Sequence, residues 1–214
     1  MSVADVSWAQ VDDSASTGAP CVMRGIRGQP HLLPVEAWAH DADSSDEALL
    51  RHCTDPTLDV GCGPGRMTQS LALRGLRVLG VDVVPEAVRQ TQARGVAALC
   101  RDVFQTLPGE GRWACVLLAD GNIGIGGDPV ALLRRVTGLL RPGGRAVVAL
   151  APFGEGLVVR VVRVESDGWQ SDGFRWALVG ADVIEELALS AGLRAESVHE
   201  HRGRWHAVLT KDRR

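Results

Sequence analysis

The feature that most constrains this chain is the glycine-rich turn Asp59-Val60-Gly61-Cys62-Gly63-Pro64-Gly65. The apolar run TLDVG (57–61) before it is typical of a buried strand, and RMTQSLALRG (66–75) after it favours a helix that ends at Gly75. Glycines let the backbone turn sharply and let a ligand approach closely, and the helix start offers free N–H groups. The sequence therefore predicts a ligand-binding turn between a strand and a helix.

Strands and helices continue to alternate after this turn. Apolar runs predict strands over 77–82, 96–102, 113–120 and 145–151, and helical spacing predicts helices over 85–95 and 128–140. Before the turn, residues 44–53 favour a short helix capped by Ser44 or Ser45. Continuous apolar strands separated by helices indicate a parallel sheet covered on both faces. We therefore expect an α/β, Rossmann-like, doubly wound fold.

The pattern changes after Ala151. The runs 157–165 and 173–179 flank a polar turn and predict an inserted β-hairpin, followed by a helix over 181–193 and a strand pair over 194–201 and 204–210. Residues 1–20 are polar and small, and 21–38 favour a hairpin. We expect an N-terminal extension, 1–43, that is partly disordered. A catalytic domain is expected over 44–214, with its hairpin insertion at about 152–180.

The glycine spacing bears on the type of cofactor. Dinucleotide-binding turns follow GxGxxG, whose third glycine allows close helix packing. Counted from Gly61, that position holds Arg66, and the chain reads GxGxG instead. Asp82, 21 residues after Gly61 at the end of the second strand, is placed to accept hydrogen bonds from ribose hydroxyls. Asp102, after the third strand, is placed to accept from an adenine amine, with Val103 covering the ring.

With these residues the chain resembles the class I S-adenosylmethionine (SAM)-dependent methyltransferases. The matching segments are LDVGCGPG (58–65), GVD (80–82), RDVF (101–104), LLAD (117–120) and LLRPGG (139–144). Residues 117–144 are also similar to small methyltransferases of actinobacteria. The resemblance implies a seven-stranded, mostly parallel sheet with an antiparallel last strand. It also implies SAM as cofactor and S-adenosylhomocysteine as product.

The resemblance also assigns residues to the site. The loop from Asp59 to Gly65 is expected to wrap the methionine part of SAM, while Asp120 and Asn122 face its methionine end and the acceptor. The predicted cofactor-binding residues are Asp59, Gly61, Cys62, Gly63, Gly65, Arg66, Asp82, Val83, Asp102, Val103 and Asp120. Asp120 and Asn122 are the candidates for positioning roles in catalysis.

Several assignments leave two interpretations. Asp120 is either a general base or, as we favour, a ligand-positioning or loop-capping carboxylate. The run GNIGIGG (121–127) is either a flexible floor of the site or a close-packed turn. The N-terminal segment and the 157–179 hairpin form either a lid whose aromatic residues line an acceptor pocket or an interface in a homodimer.

Composition excludes other classes. The net charge is −3 without a basic stripe, which argues against a nucleic-acid partner. No apolar run reaches the roughly 18 residues of a membrane span, and no signal peptide is recognisable. The five scattered cysteines predict no metal site and a reducing, cytoplasmic setting. We expect methyl transfer to oxygen, nitrogen or carbon of a small molecule, in bacterial specialised metabolism. An NAD(P)-dependent oxidoreductase and a non-catalytic SAM-binding protein are the alternatives.

Overall fold

A computed structural model describes residues 21–25, 31–33, 38, 40–166 and 169–213 of the chain. The helices are α1 (Ser44–Leu50), α2 (Arg66–Leu73), α3 (Pro85–Ala93), α4 (Pro129–Leu139) and α5 (Ile184–Ser190), and a 3-10 turn spans Asn122–Gly124. The first six strands are β1 (Cys21–Arg24), β2 (His31–Leu33), β3 (Thr57–Val60), β4 (Val78–Asp82), β5 (Ala98–Cys100) and β6 (Trp113–Leu118). The last six are β7 (Leu140–Leu150), β8 (Leu157–Ser166), β9 (Trp169–Gln170), β10 (Phe174–Val179), β11 (Arg194–His201) and β12 (Arg204–Thr210).

Seven strands form the main sheet in the order β11-β12-β7-β6-β3-β4-β5. Strands β3 to β7 pair in parallel, whereas β12 is antiparallel to both of its neighbours, β7 and β11. This confirms the predicted Rossmann-like sheet with its antiparallel last strand. Because β3, β4 and β6 are neighbours and run in one direction, the loops that follow them meet at one edge of the sheet.

The sheet is covered on both faces, as its apolar strands predict. On one face the predicted apolar side of α4 is fully buried, at Leu132, Leu133, Val136 and Leu139. On the other face α1 and α2 pack their buried side chains against β6 and β7. Full burial of each leucine stabilises the fold by about 1.5–3 kcal/mol before entropy is counted.

A second sheet joins the two segments that the sequence left separate. Its order is β10-β8-β1-β2, with β9 pairing to β8. The predicted hairpins are present as β1–β2 and β8–β10, both antiparallel, and β1 also pairs with β8. The chain's division at residue 43 stays a prediction, and so does the partial disorder of 1–43, most of which lies outside the described residues.

The ends of some elements differ from the predictions. The cap of α1 is Asp43 rather than Ser44 or Ser45, because its carboxylate accepts from the N–H groups of Ser45 (2.7 Å) and Asp46 (2.8 Å). Strand β7 begins at Leu140 rather than 145, where its first residue pairs with Trp113 of β6. Helix α5 begins at Ile184, three residues later than predicted. Within the described residues no helix is both long and apolar enough to cross a membrane.

Candidate active site

The glycine loop connects β3 to α2 and has one open position. Gly61, Gly63 and Gly65 have φ of 70°, 54° and 88°, in the left-handed region that favours glycine. A Cβ on Gly61 would lie 2.6 Å from the side chain of Asn122, and one on Gly65 would lie 2.6 Å from that of Thr91. A Cβ on Gly63 would meet nothing within 4 Å. The free face of the loop is therefore at Gly63.

Asn122 holds the start of this loop. Its Nδ2 donates to the carbonyl oxygens of Val60 and Gly61, at 2.9 Å each. The sequence placed Asn122 beside the acceptor, whereas here its amide nitrogen connects the loop after β6 to the loop after β3. Asn122 thus acts on the site by positioning the glycine loop.

Two predicted site residues lie beneath the loop. The carboxylate of Asp59 is buried, with 1% of the residue exposed, and accepts a hydrogen bond from Thr68 Oγ1 at 2.7 Å. Burial raises the pKa of Asp59 to about 7. Cys62 is also buried, and its Sγ lies 3.8 Å from Thr91 Oγ1. Both side chains support the loop from below and leave its backbone to face a ligand.

Asp82 connects the end of β4 to the open part of the loop. Its Oδ2 accepts from the N–H of Gly63 at 2.9 Å, and its Oδ1 accepts from the N–H of Val84 at 3.0 Å. Burial raises the pKa of Asp82, against the lowering effect of these backbone N–H groups. Each carboxylate oxygen has a second lone pair to offer. Val83, the next residue, is half-buried.

Asp102 follows β5 in a turn that exposes a different neighbour from the one predicted. Its Oδ1 accepts from the N–H of Phe104 at 2.9 Å. Val103, predicted to cover a bound ring, is only 5% exposed and packs in the main core. Phe104 is 45% exposed and lies against Gly126, where a Cβ would be 3.4 Å from the aromatic ring. In this structure the accessible apolar side chain beside Asp102 is therefore that of Phe104 and not that of Val103.

A network of arginines and aspartates forms the side of the site next to β6. Arg66 Nη2 lies 2.6 Å from Asp120 Oδ2, and Arg66 Nη1 forms an ion pair with Asp46. Arg204 from β12 also contacts Asp46, at 2.9 Å, and Asp120, at 3.6 Å. Arg66 and Asp46 are both buried. The guanidinium of Arg66 is therefore held by two carboxylates, one of which belongs to Asp120.

Asp120 stands at the bend where the chain leaves β6. Its φ of 49° is unusual for a residue other than glycine, although aspartate tolerates this region better than most. Its side chain is 26% exposed, so part of the carboxylate faces the open edge of the sheet. Positive φ at a ligand-binding edge indicates a backbone that the surrounding contacts hold in place.

The run 121–127 is close-packed at two of its glycines, Gly124 and Gly127, as one of the two interpretations left by the sequence requires. A Cβ on Gly124 would lie 2.1 Å from the carbonyl oxygen of Ala177, and one on Gly127 would lie 2.7 Å from Arg175. The ring of Trp176 also packs against Gly124. Strand β10 of the second sheet therefore packs directly on Gly124 and Gly127, whereas a Cβ on Gly121 would meet nothing within 4 Å.

Two members of the charged network were missed at the sequence level. Asp46 lies in α1 and Arg204 in β12, 158 positions apart, yet they meet beside Asp120. The sequence signalled Asp46 only as an acidic residue in the first turn of a helix. Nothing in the local sequence of Arg204 distinguishes it from the other arginines on exposed strand positions.

Comparison with known proteins agrees with this geometry. The family model described as "Methyltransferase domain" matches residues 57–144, from β3 into β7. A SAM-dependent methyltransferase from Bacteroides fragilis, solved with S-adenosylhomocysteine, aligns with a TM-score of 0.80 at 22% identity, over 97% of this chain and 95% of that chain.

Residues 57–144 thus match a methyltransferase-domain family, and the fold of the chain is that of a SAM-dependent methyltransferase of known structure. Solved structures with this fold hold S-adenosylhomocysteine in the protein from Bacteroides fragilis and SAM in an amino pentose methyltransferase from Micromonospora echinaspora.

Curated relatives in sequence match over shorter stretches. A probable cobalt-precorrin-6B C(15)-methyltransferase from Methanothermobacter thermautotrophicus is 35% identical over 44% of this chain and 51% of its own length. A ubiquinone biosynthesis O-methyltransferase from Xylella fastidiosa is 26% identical over 66% of this chain and 60% of its own length. The chain thus spans 51% and 60% of the lengths of these two relatives.

The residues at the glycine loop fit the family's cofactor. SAM carries ribose hydroxyls and an adenine amine, which are hydrogen-bond donors. Asp82 and Asp102 supply carboxylate acceptors at the same edge of the sheet, at the end of β4 and after its parallel neighbour β5. The loop leaves space above Gly63, where no atom of the described residues would lie within 4 Å of a Cβ. Donors on the ligand and acceptors on the protein therefore match.

Proposed function

We propose that this protein transfers a methyl group from SAM to an oxygen, nitrogen or carbon atom of a small-molecule acceptor. The observation that carries this proposal is the glycine loop, open at Gly63 and tied by Asp82 at 2.9 Å. This arrangement holds an acidic side chain and an uncovered backbone edge next to each other at the carboxyl ends of β3 and β4. Ligands of open α/β sheets bind at such edges.

Each part of the site has a proposed role in binding the cofactor. Asp82 accepts from the ribose hydroxyls, and Asp102 accepts from the adenine amine with Phe104 beside the ring. The backbone around Gly63 faces the methionine part. Asp120, held by Arg66 at 2.6 Å, lies at the methionine end, where it binds and orients rather than removes a proton.

Methyl transfer from SAM requires the protein mainly to position the acceptor and to exclude water. Bound SAM supplies a methyl group already activated on a sulfonium. The chain's residues need to hold the acceptor atom in line with that methyl group and exclude water. The charged network fixes the position of Asp120, and the glycine loop is fixed by Asn122 through two hydrogen bonds of 2.9 Å. A general base is needed only for an acceptor that must lose its proton early.

A small molecule is the acceptor class that the surface supports best. The second sheet docks at the site through Trp176, whose ring packs against Gly124 and meets that of Phe174 edge-on. Aromatic side chains beside a cofactor site favour an apolar acceptor. The net charge of −3 disfavours a nucleic acid. Relatives named for O-methyl and C-methyl transfer support both acceptor atoms. Specialised metabolism, a homodimer and a cytoplasmic location stay predictions.

Turnover tests the proposal. The protein is incubated with SAM and a panel of phenols, amines and carbon acids, and formation of S-adenosylhomocysteine is measured. We expect at least one small acceptor to raise the rate above that with no acceptor, and Asp82→Ala to remove the increase. Asp172→Ala, at an exposed position between β9 and β10, is the control and should keep it. Transfer to RNA or DNA alone would contradict the proposal, and SAM binding without any turnover would favour the non-catalytic alternative.

A further inference from the structure

Three histidines from distant parts of the sequence meet on the face of the main sheet that α1 covers. His199 of β11 and His206 of β12 are directly opposite in the strand register, and His52 follows α1. Their ring centroids lie 4.7 Å (His52–His199), 5.0 Å (His199–His206) and 5.2 Å (His52–His206) apart. One nitrogen from each lies within 4.8 Å of the others. Imidazole nitrogens in a group of three are typical ligands of divalent transition metals.

His206 has a buried polar atom that the protein does not satisfy. Only 4% of the residue is exposed, and its Nε2 has no hydrogen-bond partner among the residues that the structure describes. A buried polar atom without a partner costs free energy, so it is rare unless a ligand or an ion serves it. The other two histidines are half-buried, which leaves a route by which an ion can enter.

Burial lowers the pKa of two of the three imidazole rings. Burial lowers the pKa of His206 to about 4, with further lowering by His199, His52, Arg51 and His201. Burial also lowers the pKa of His52, where His199, Arg51 and Arg145 act in the same direction and Glu196 opposes them. Neutral imidazole is the form of histidine that coordinates a metal ion.

We propose that His52, His199 and His206 form a binding site for a divalent transition-metal ion of the zinc type. Zinc–nitrogen bonds of about 2.0–2.1 Å in a tetrahedral site would bring the ligand nitrogens to about 3.3 Å from one another. In the present structure the ligand nitrogens are farther apart than this, so the side chains would have to rotate to bring them together. Nε2 of His199 now contacts Ser197 Oγ at 2.8 Å, and Nε2 of His52 accepts from Arg51 at 3.3 Å. Both are contacts that coordination through Nε2 would replace.

The ion would join α1 to the β11–β12 edge of the sheet. Helix α1 is already tied to β12 at its other end, where Asp46 contacts Arg204 at 2.9 Å. A metal at His52 and His206 adds a second connection between the same two elements. The sequence predicted no metal site because its cysteines are scattered, and His52 is separated from the other two histidines by more than a hundred residues, so the three form no local motif. This site is independent of the proposed methyl transfer.

Titration of tag-free, chelator-treated protein with ZnSO4 tests the site. We expect calorimetry to show one zinc per chain and Co²⁺ substitution to give the visible absorption of a tetrahedral nitrogen site. His206→Ala should abolish both signals. His52→Gln, at a half-buried position after the end of α1, should do the same without opening the core. His201→Ala removes a histidine of β11 outside the cluster and should leave both signals unchanged.

The outcomes distinguish zinc binding at the three histidines from binding elsewhere and from no binding. Stoichiometric zinc that disappears in both cluster variants and persists in His201→Ala supports the site. No stoichiometric zinc binding by the wild-type protein would overturn it. Binding that survives His52→Gln, or that is lost equally in His201→Ala, would also overturn it, because the ion would then lie elsewhere. The thermal midpoint should rise with zinc in the wild type and not in His52→Gln.

Discussion

Gly63 and Gly75 stand at opposite ends of α2 with the same local backbone. Their φ values are 54° and 82°, and at both a Cβ would meet nothing within 4 Å. Gly75 ends the helix, whereas Gly63 lies in the loop beside Asp82. Comparison of the two positions therefore distinguishes the conformational role of glycine from its role in leaving space for a ligand.

Alanine at each of these positions should cost similar stability but differ in binding. The left-handed conformation should lower the free energy of unfolding by about 1–2 kcal/mol in both Gly63→Ala and Gly75→Ala. Only Gly63→Ala should weaken the binding of SAM, because the methyl group of the new alanine enters the proposed site. Denaturation and SAM titration measure the two effects. Equal SAM affinity in the two variants would contradict the placement of the cofactor at Gly63.

The ionisation of Asp59 makes the stability of the folded protein depend on pH. Its pKa in the folded protein is about 7, raised by burial, whereas in the unfolded chain it is about 3.9. The folded state thus holds a proton that the unfolded state releases between these values. The stability that this gives is complete below about pH 4 and is lost as pH rises through 7.

Asp59→Asn should remove this dependence, because the amide cannot ionise and still offers an oxygen to Thr68. Relative to the variant, the wild type should lose up to about 4 kcal/mol of unfolding free energy between about pH 4 and pH 8. Urea denaturation of both proteins across this range measures the difference. A difference that does not change with pH would show that Asp59 ionises as an ordinary carboxyl.

At the scale of elements, α1 is fixed to the site by its acidic first turn. Asp46 is buried and contacts Arg66 and Arg204, whereas its neighbour Glu47 pairs with Arg74 near the surface. Removing one partner from a buried ion pair leaves an unpaired charge, while an exposed pair contributes little. The same helix therefore carries a strong and a weak ion pair side by side.

Asp46→Ala should destabilise the protein by about 3 kcal/mol and loosen Asp120 through Arg66. Glu47→Ala, on the same turn, should cost less than about 1 kcal/mol. Chemical denaturation compares the two variants, and SAM affinity should fall in Asp46→Ala alone. Equal destabilisation by the two substitutions would mean that the buried network does not fix α1.

The elements were largely predictable, but several of their ends were not. Apolar runs and helical spacing gave β3, α2, β11 and β12 within a few residues, since each element is continuous and flanked by glycine or proline. The predicted cap of α1 was wrong because serine and aspartate are both good caps. Only the fold shows which side chain meets the free N–H groups. The early start of β7 depends on pairing with β6, which no local pattern reports.

At the scale of the whole molecule, the order of the main sheet determines which loops meet. Motifs after β3, β4, β5 and β6 each signalled a site residue, and parallel neighbours in the order β6-β3-β4-β5 bring them to one edge. Contacts between distant elements were beyond prediction, since they depend on how the layers pack. Examples are the ion pairs of Asp46 with Arg66 and Arg204 and the docking of Trp176 on the 3-10 turn.

The central claim is that this edge binds SAM through Asp82 and the glycine loop. Calorimetric titration of the protein with SAM, S-adenosylhomocysteine and NADH tests it most directly, with Asp82→Ala and the exposed control Asp172→Ala. We predict roughly micromolar dissociation constants for both adenosyl compounds, lost in Asp82→Ala and kept in the control, with no response to NADH. Binding of NADH without any response to SAM would contradict the account and favour an oxidoreductase.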